Sequence, residues 1–150
     1  MFTLDAIMTT DLITVTPKAT LADVRALMRE HRIHHIPVVD EHNMLVGLVT
    51  LTNVLAATDS ILRNTDSRIH ASEVCIKEIM VTEVATVDEQ ASLRQAALFL
   101  EKHRIGCLPV LTGGKLRGII TETDFVGVAI NLLEQLEESE PVDEDSVAAG

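Results

Sequence analysis

Gly118-Ile119-Ile120-Thr121-Glu122-Thr123-Asp124 runs an apolar stretch directly into a hydroxyl, with a carboxylate three residues further on. This is the signature of a strand that enters a helix without an intervening loop. Thr121 can accept from a first-turn N–H, and Asp124 can reach back to the Thr121 N–H, as in a capping box. The same stretch stands earlier in the chain as Gly47-Leu48-Val49-Thr50-Leu51-Thr52-Asn53. Working outward from both copies, the matches continue in the same order. Pro37-Val38 answers to Pro109-Val110, His31-Arg32-Ile33 to His103-Arg104-Ile105, and Ala19-Thr20-Leu21 to Ala91-Ser92-Leu93. Thr14-Val15 then meets Thr86-Val87, and Ile7-Met8 meets Ile79-Met80. The chain is an internal duplication. Two copies are too few for a solenoid, so a pseudo-twofold pair with a shared core and a cleft along the axis is expected.

Each copy reads as β-α-β-β-α. Leu12-Ile13-Thr14-Val15 is a short β-rich run closed by Pro17. A helix follows, with Thr20 and Asp23 as its capping pair and Leu21, Val24, Leu27 and Met28 on one face; Ser92 and Gln95 repeat the pair. Ile36-Pro37-Val38-Val39, the turn Asp40-Glu41-His42-Asn43 and Leu45–Val49 form a hairpin signal, and the second copy turns at Thr112-Gly113-Gly114-Lys115. The second helices start at Thr50 and Thr121. The expected organisation is an α/β chain with repeat 1 over 1–62, a linker over 63–76, repeat 2 over 77–134 and a disordered acidic tail over 135–150.

Composition narrows the function. Apolar residues make up 47% of the 150-residue chain, enough for a buried interior, while aromatics are 2%, with no Trp or Tyr. Base stacking on aromatic rings therefore has little to work with. The formal net charge of −11 also disfavours a polyphosphate track, although much of it sits in Glu134, Glu137, Glu138, Glu140, Asp143, Glu144 and Asp145. Cys75 and Cys107 read as reduced thiols, with no CxxC. The start lacks the features of a signal peptide, and no apolar run reaches membrane-spanning length, so a soluble cytoplasmic protein is expected, without nucleic-acid or membrane partners.

Two such units, each opening on Ile-Met and a Thr-Val strand, carrying a central Pro-Val and closing on Gly-apolar-apolar-Thr-x-Thr-Asp/Asn, resemble a CBS domain pair over residues 7–130. The resemblance implies a regulatory, non-catalytic module that binds AMP, ADP, ATP or S-adenosylmethionine, requires no cofactor and often dimerises. Carried over residue by residue, Asp124 would hold the ribose hydroxyls and Thr121 a phosphate. The first copy offers Thr50 but departs at Asn53, whose amide cannot form the charge-assisted pair. The Thr121–Asp124 pocket therefore ranks above the Thr50–Asn53 pocket. Ile13-Thr14 and Ala85-Thr86 match the backbone flanking the adenine, beside Pro37 and Pro109. His34 and His35 stand where basic side chains meet phosphates, against Gly106-Cys107 in the second copy.

Other readings are weaker. His31, His34, His35 and His42 crowd together, but their spacing matches no metal-ligand pattern and there is no HExxH. No P-loop or Ser–His–Asp context supports catalysis. A ligand-free dimerisation or docking scaffold is the main alternative. Leu55, Ile61 and Leu62, with Phe125, Val128, Ala129, Leu132 and Leu133, exceed what one small repeat can bury, and a homodimer would cover them. In either reading the output would pass to a separate regulated protein.

Overall fold

A computed structural model describes residues 3–63 and 70–139. Helix α1 (Leu21–His31) is followed by β1 (His35–Val39), β2 (Leu45–Thr50) and α2 (Leu51–Arg63). The second repeat runs β3 (Val87–Asp88), α3 (Leu93–His103), β4 (Cys107–Thr112), β5 (Lys115–Thr121) and α4 (Glu122–Ser139). Both capping boxes form: Thr20 with Asp23 on α1 and Ser92 with Gln95 on α3. Asp40 closes the first hairpin turn by accepting from the His42 and Met44 N–H groups at 2.8 and 3.0 Å.

The opening strand is shorter than its β-rich composition suggests. Val15 alone bridges β1, and only Val87–Asp88 pairs with β4. Both pairings are parallel, and Pro37 and Pro109 lie inside the central strands rather than at an edge. Neither proline leaves a ladder bond unmade, because each faces a residue whose polar groups point elsewhere. Leu48, opposite Pro37, exchanges both backbone bonds with Val81 at 2.9 Å. Ile119, opposite Pro109, does the same with Thr9 at 2.9 and 3.0 Å.

Those two pairings exchange the lead-in segments between repeats. The 3-10 turn Leu4–Ala6 buries Leu4 among Leu100, Leu108, Val110 and Ile120 of repeat 2. The turn Ile76–Glu78 buries Ile76 among Leu21, Val24, Ile36 and Val49 of repeat 1. Boundaries drawn along the chain thus do not follow the packing. Leu48, Cys107 and Ile119, with Leu12 and Val84 against them, form a third cluster joining the halves. At the hairpin turns, Leu45 N–H donates to Gly114 O at 3.2 Å and Leu116 N–H to Asn43 O at 3.0 Å. These are equivalent bonds, as the pseudo-twofold arrangement requires.

Gly47 and Gly118 recur because of this exchange. A Cβ at Gly47 would stand 2.6 Å from Met80 Sδ and 3.0 Å from Val81 O; at Gly118 it would stand 2.7 Å from Met8 Sδ and 3.0 Å from Thr9 O. The sulfur can move, but the carbonyl is held in the exchanged pairing. Gly118→Ala is accordingly expected to destabilise the fold by about 1–3 kcal/mol in denaturant unfolding.

Of the acidic tail expected over 135–150, residues 135–139 belong to α4. Leu132, Leu133 and Leu136 keep helical spacing there, and no breaker intervenes before Pro141. Residues 140–150, and 64–69 of the expected linker, lie outside the described residues.

Candidate functional site

A cleft of about 820 Å³ opens between the repeats. Repeat 1 contributes Ile13, His31, Arg32, His34, His35 and Pro37, and repeat 2 contributes Gly106, Ile119, Thr121, Glu122 and Thr123. Strand order brings them together: β1 and β5 both deliver their ends here, and α4 starts on the cleft wall. Five of the sequence-predicted residues, Ile13, His34, His35, Pro37 and Thr121, therefore line one cleft. Thr14 and Asp124 adjoin it along the chain. Thr50, Asn53, Ala85, Thr86 and Pro109 do not line it, and stand at the pseudo-equivalent positions of the duplication.

The two helix starts differ in how far their hydroxyls are committed. At α2, Thr50 N–H and Oγ1 both donate to Asn53 Oδ1 at 2.9 Å, and Asn53 N–H donates to Thr50 Oγ1 at 3.2 Å. This box is closed in both directions. At α4, Thr121 N–H donates to Asp124 Oδ2 at 2.9 Å, but the hydroxyl contact is 3.4 Å and the return bond from Asp124 N–H is not made among the described residues. The Thr121 hydroxyl and the second N–H groups of α4 are thus available to an anion, where the helix dipole also favours one. Only Oδ2 of Asp124 takes part in the cap, which leaves Oδ1 able to accept.

Arg32 was not anticipated from the sequence. It ends α1 in the left-handed region at φ 54°, as Arg104 does at 51° after α3. That conformation costs an L-residue about 1–2 kcal/mol and is usually given to glycine. The recurrence of His-Arg at this point in both repeats was the available signal. Charge in the cleft is mixed: Arg32 and the three histidines face Asp11 and Glu122.

Burial holds the His35 imidazole below its ordinary 6.5, neighbouring His34 acts the same way, and Glu122 opposes them. The folded chain therefore disfavours the imidazolium. Its contribution to stability is present above pH 6.5 and is lost as pH falls through 6.5 toward the lower folded value. Cys107, paired with Thr121 in register, is pushed up to about 12, first by burial and then by Asp124. It stays a neutral thiol and is no nucleophile at neutral pH. Among the described residues, no three His, Cys, Asp or Glu side chains gather as a metal site, and no helix is long and apolar enough to cross a membrane.

The fold and cleft define a class: a duplicated α/β pair with a ligand-sized cavity between its halves. The CBS domain model matches residues 4–60 and 76–131, and the chain belongs to the CBS domain family. A Vibrio cholerae protein assigned to acetoin utilization, AcuB, is 41% identical in sequence and superimposes with a TM-score of 0.78, over 94% of this chain and 99% of that one. CBSX2, solved in complex with AMP, is 27% identical at a TM-score of 0.76, over 88% and 98% of the two chains. The CBS domain pair of protein MJ0100, solved with 5′-methylthioadenosine and S-adenosyl-L-methionine, is 25% identical at a TM-score of 0.72, over 85% and 98%. Among curated relatives, the chain spans 30% of an uncharacterized Methanocaldococcus jannaschii protein and 21% of the inosine-5′-monophosphate dehydrogenase of Bifidobacterium longum.

Proposed function

We propose that this chain is a non-catalytic regulatory module that binds an adenine nucleotide, or S-adenosylmethionine, in the cleft between its repeats. The observation that carries this is the convergence on one cavity of the open α4 N-terminus, with Thr121 and Thr123, and of Ile13, Pro37, Arg32, His34 and His35. In this reading the base lies against Ile13 and Pro37. Asp124 accepts from the ribose hydroxyls, and Thr121 donates to a phosphate that also meets Arg32 and His34 or His35. Support comes from the AMP bound by CBSX2 and the adenosyl ligands bound by MJ0100. With Asp11 and Glu122 in the cleft, few anionic charges can be matched, which favours AMP or S-adenosylmethionine over ADP and ATP.

A ligand held by both repeats biases whichever arrangement of the two halves closes on it, by no more than its differential affinity. The signal then passes to a separate regulated protein.

The test is thermal unfolding of the protein alone and with AMP, ADP, ATP, S-adenosylmethionine, NAD and GTP in turn. A ligand at a hundredfold excess over its dissociation constant adds about 2.7 kcal/mol, or roughly 5–10 °C for a chain of this size. Shifts with adenine compounds and none with GTP are expected. No shift with any of them would favour a ligand-free dimerisation scaffold.

AMP affinity carries a second expectation. A bound phosphate stabilises the imidazolium that burial disfavours at His35, so affinity should rise as pH falls below 6.5. Titration calorimetry at pH 7.5 and 5.8 measures this. The rise should vanish in His34→Gln/His35→Gln.

A further inference from the structure

The two repeats treat one groove differently. In repeat 1, Ala57 and Ile61 of α2 pack on the core with Leu21 and Ile79, and Ala71 and Val74 of the connecting segment pack there too. That segment is tied to the start of α1. Leu21 N–H donates to Val74 O at 2.9 Å, and Ala22 N–H donates to Ala71 O at 3.2 Å. The duplication sets Val128 and Leu132 of α4, with Leu93 and Ile7, at the same positions of repeat 2. There they line a groove of about 340 Å³. Neither Val128 nor Leu132 joins the core of repeat 2, and Leu132 is 46% exposed. The Leu93 and Arg94 N–H groups, equivalent to those of Leu21 and Ala22, meet no acceptor among the described residues.

Charge also reverses between the repeats. Glu134 stands where α2 has Arg63, Glu138 lines the groove one turn later, and α4 contains no Lys or Arg. Neither glutamate meets a cation among the described residues. Repeat 1 thus supplies the shape of an occupant, and the rim of repeat 2 supplies its charge. Residues 140–150 of the chain do not fit, because they hold Glu140, Asp143, Glu144 and Asp145 with no Lys or Arg.

We propose that this groove docks a basic, apolar segment of the regulated protein. Backbone carbonyls of the segment accept from the Leu93 and Arg94 N–H groups, as Val74 and Ala71 do in repeat 1. Small apolar side chains three residues apart cover Val128 and Leu132, and Lys or Arg meets Glu134 and Glu138. Both sides of the groove run on into the cleft, from Ile7 through Thr9 to Ile13 and along α4 back to Thr121. The docked segment therefore touches the same two stretches of chain that a cleft ligand touches. This link rests on the nucleotide reading; the docking itself does not. Phe125, Ala129, Leu133 and Leu136 lie on another face of α4, so pairing of two copies is not involved.

The experiment follows the amide resonances of the isotope-labelled full chain as the acetylated, amidated peptide Lys-Arg-His-Ala-Ser-Lys-Val-Lys is added, a basic version of His70–Val74. Circular dichroism confirms that each variant is folded. Saturable shifts at Leu93, Arg94 and along α4 are expected, with a dissociation constant of about 1 mM or below. Glu134→Lys/Glu138→Lys should raise that constant about tenfold or more, and so should Ser in place of Ala and Val in the peptide. Leu133→Ser/Leu136→Ser, on the other face, should leave it unchanged. With AMP saturating the cleft, the constant should change by about fivefold or more. No saturable shift at about 5 mM peptide, or equal binding by Glu134→Lys/Glu138→Lys, would overturn the proposal. Binding that emerges only in Phe2→Ala would also overturn it and give the groove to the chain's own start, since Phe2 answers to Val74 in the duplication. An unchanged constant in a chain that binds AMP overturns the link to the cleft. Peptide binding without AMP binding overturns the nucleotide reading alone.

Discussion

Asp124→Ala is expected to weaken AMP binding by about a hundredfold or more. Two hydrogen bonds from ribose hydroxyls to a carboxylate contribute roughly 1.5–3 kcal/mol each, and every 1.4 kcal/mol is a factor of ten. The same change removes the cap that Asp124 places on the Thr121 N–H at 2.9 Å, at about 1 kcal/mol of stability. The chain itself shows how to separate these effects. Asn53 performs the capping task at α2 with an amide oxygen, also at 2.9 Å. Asp124→Asn should therefore keep most of the stability and still lose most of the affinity. Asn53→Ala should lower stability by a similar amount to Asp124→Ala while barely touching AMP affinity. Titration calorimetry beside thermal unfolding reads both quantities. Equal losses of affinity at Asp124 and Asn53 would remove the basis for ranking the Thr121 pocket first.

Leu4→Ala should destabilise the protein by about 2–5 kcal/mol, and lower its midpoint by roughly 5–15 °C, although the residue stands near the start of the chain. Truncation there would be nearly neutral if the lead-in were a frayed end. Instead Leu4 is fully buried, and it closes the core of repeat 2 beneath Leu100, Leu108 and Ile120. Removing three of its carbons leaves a cavity that the β4–β5 sheet cannot collapse into without breaking the Thr9–Ile119 pairing. Ile76→Ala is the equivalent change for repeat 1 and should cost a similar amount. Denaturant unfolding checks both. A wild-type midpoint for either variant would mean the lead-in segments are not exchanged.

Much of this protein is local chemistry and could be read from residues in order. The capping boxes at Thr20 and Ser92, the hairpin around Asp40 and the entry of β5 into α4 at Thr121 each depend on side chains within four residues of one another. The duplication followed from matching such signals in two places. Where the reading of the opening strand fell short, the deciding contact was distant. Leu12–Val15 has strand composition, but a strand needs a partner along its length, and only Val15 finds one. The α4 helix continued beyond the composition boundary because leucines at helical spacing persist among its glutamates.

The candidate site divides in the same way. Thr121, Asp124, His34 and His35 were nameable from motif and resemblance, because helix starts and strand starts are written locally. That Thr121 faces His35 across one cleft, that Arg32 joins them, and that Thr50 spends its hydroxyl on Asn53 are matters of tertiary placement. The two repeats, the order of their helices and hairpins and their caps are legible residue by residue, since these rest on short-range hydrogen bonds and hydrophobic period. Which lead-in completes which core is a matter of long-range packing. Leu48 and Ile119 each turn a backbone edge out of their own hairpin, and both Val81 and Thr9 are chemically suited to pair with either. The choice depends on which segment the pseudo-twofold packing brings within 3 Å, and no residue type encodes that distance.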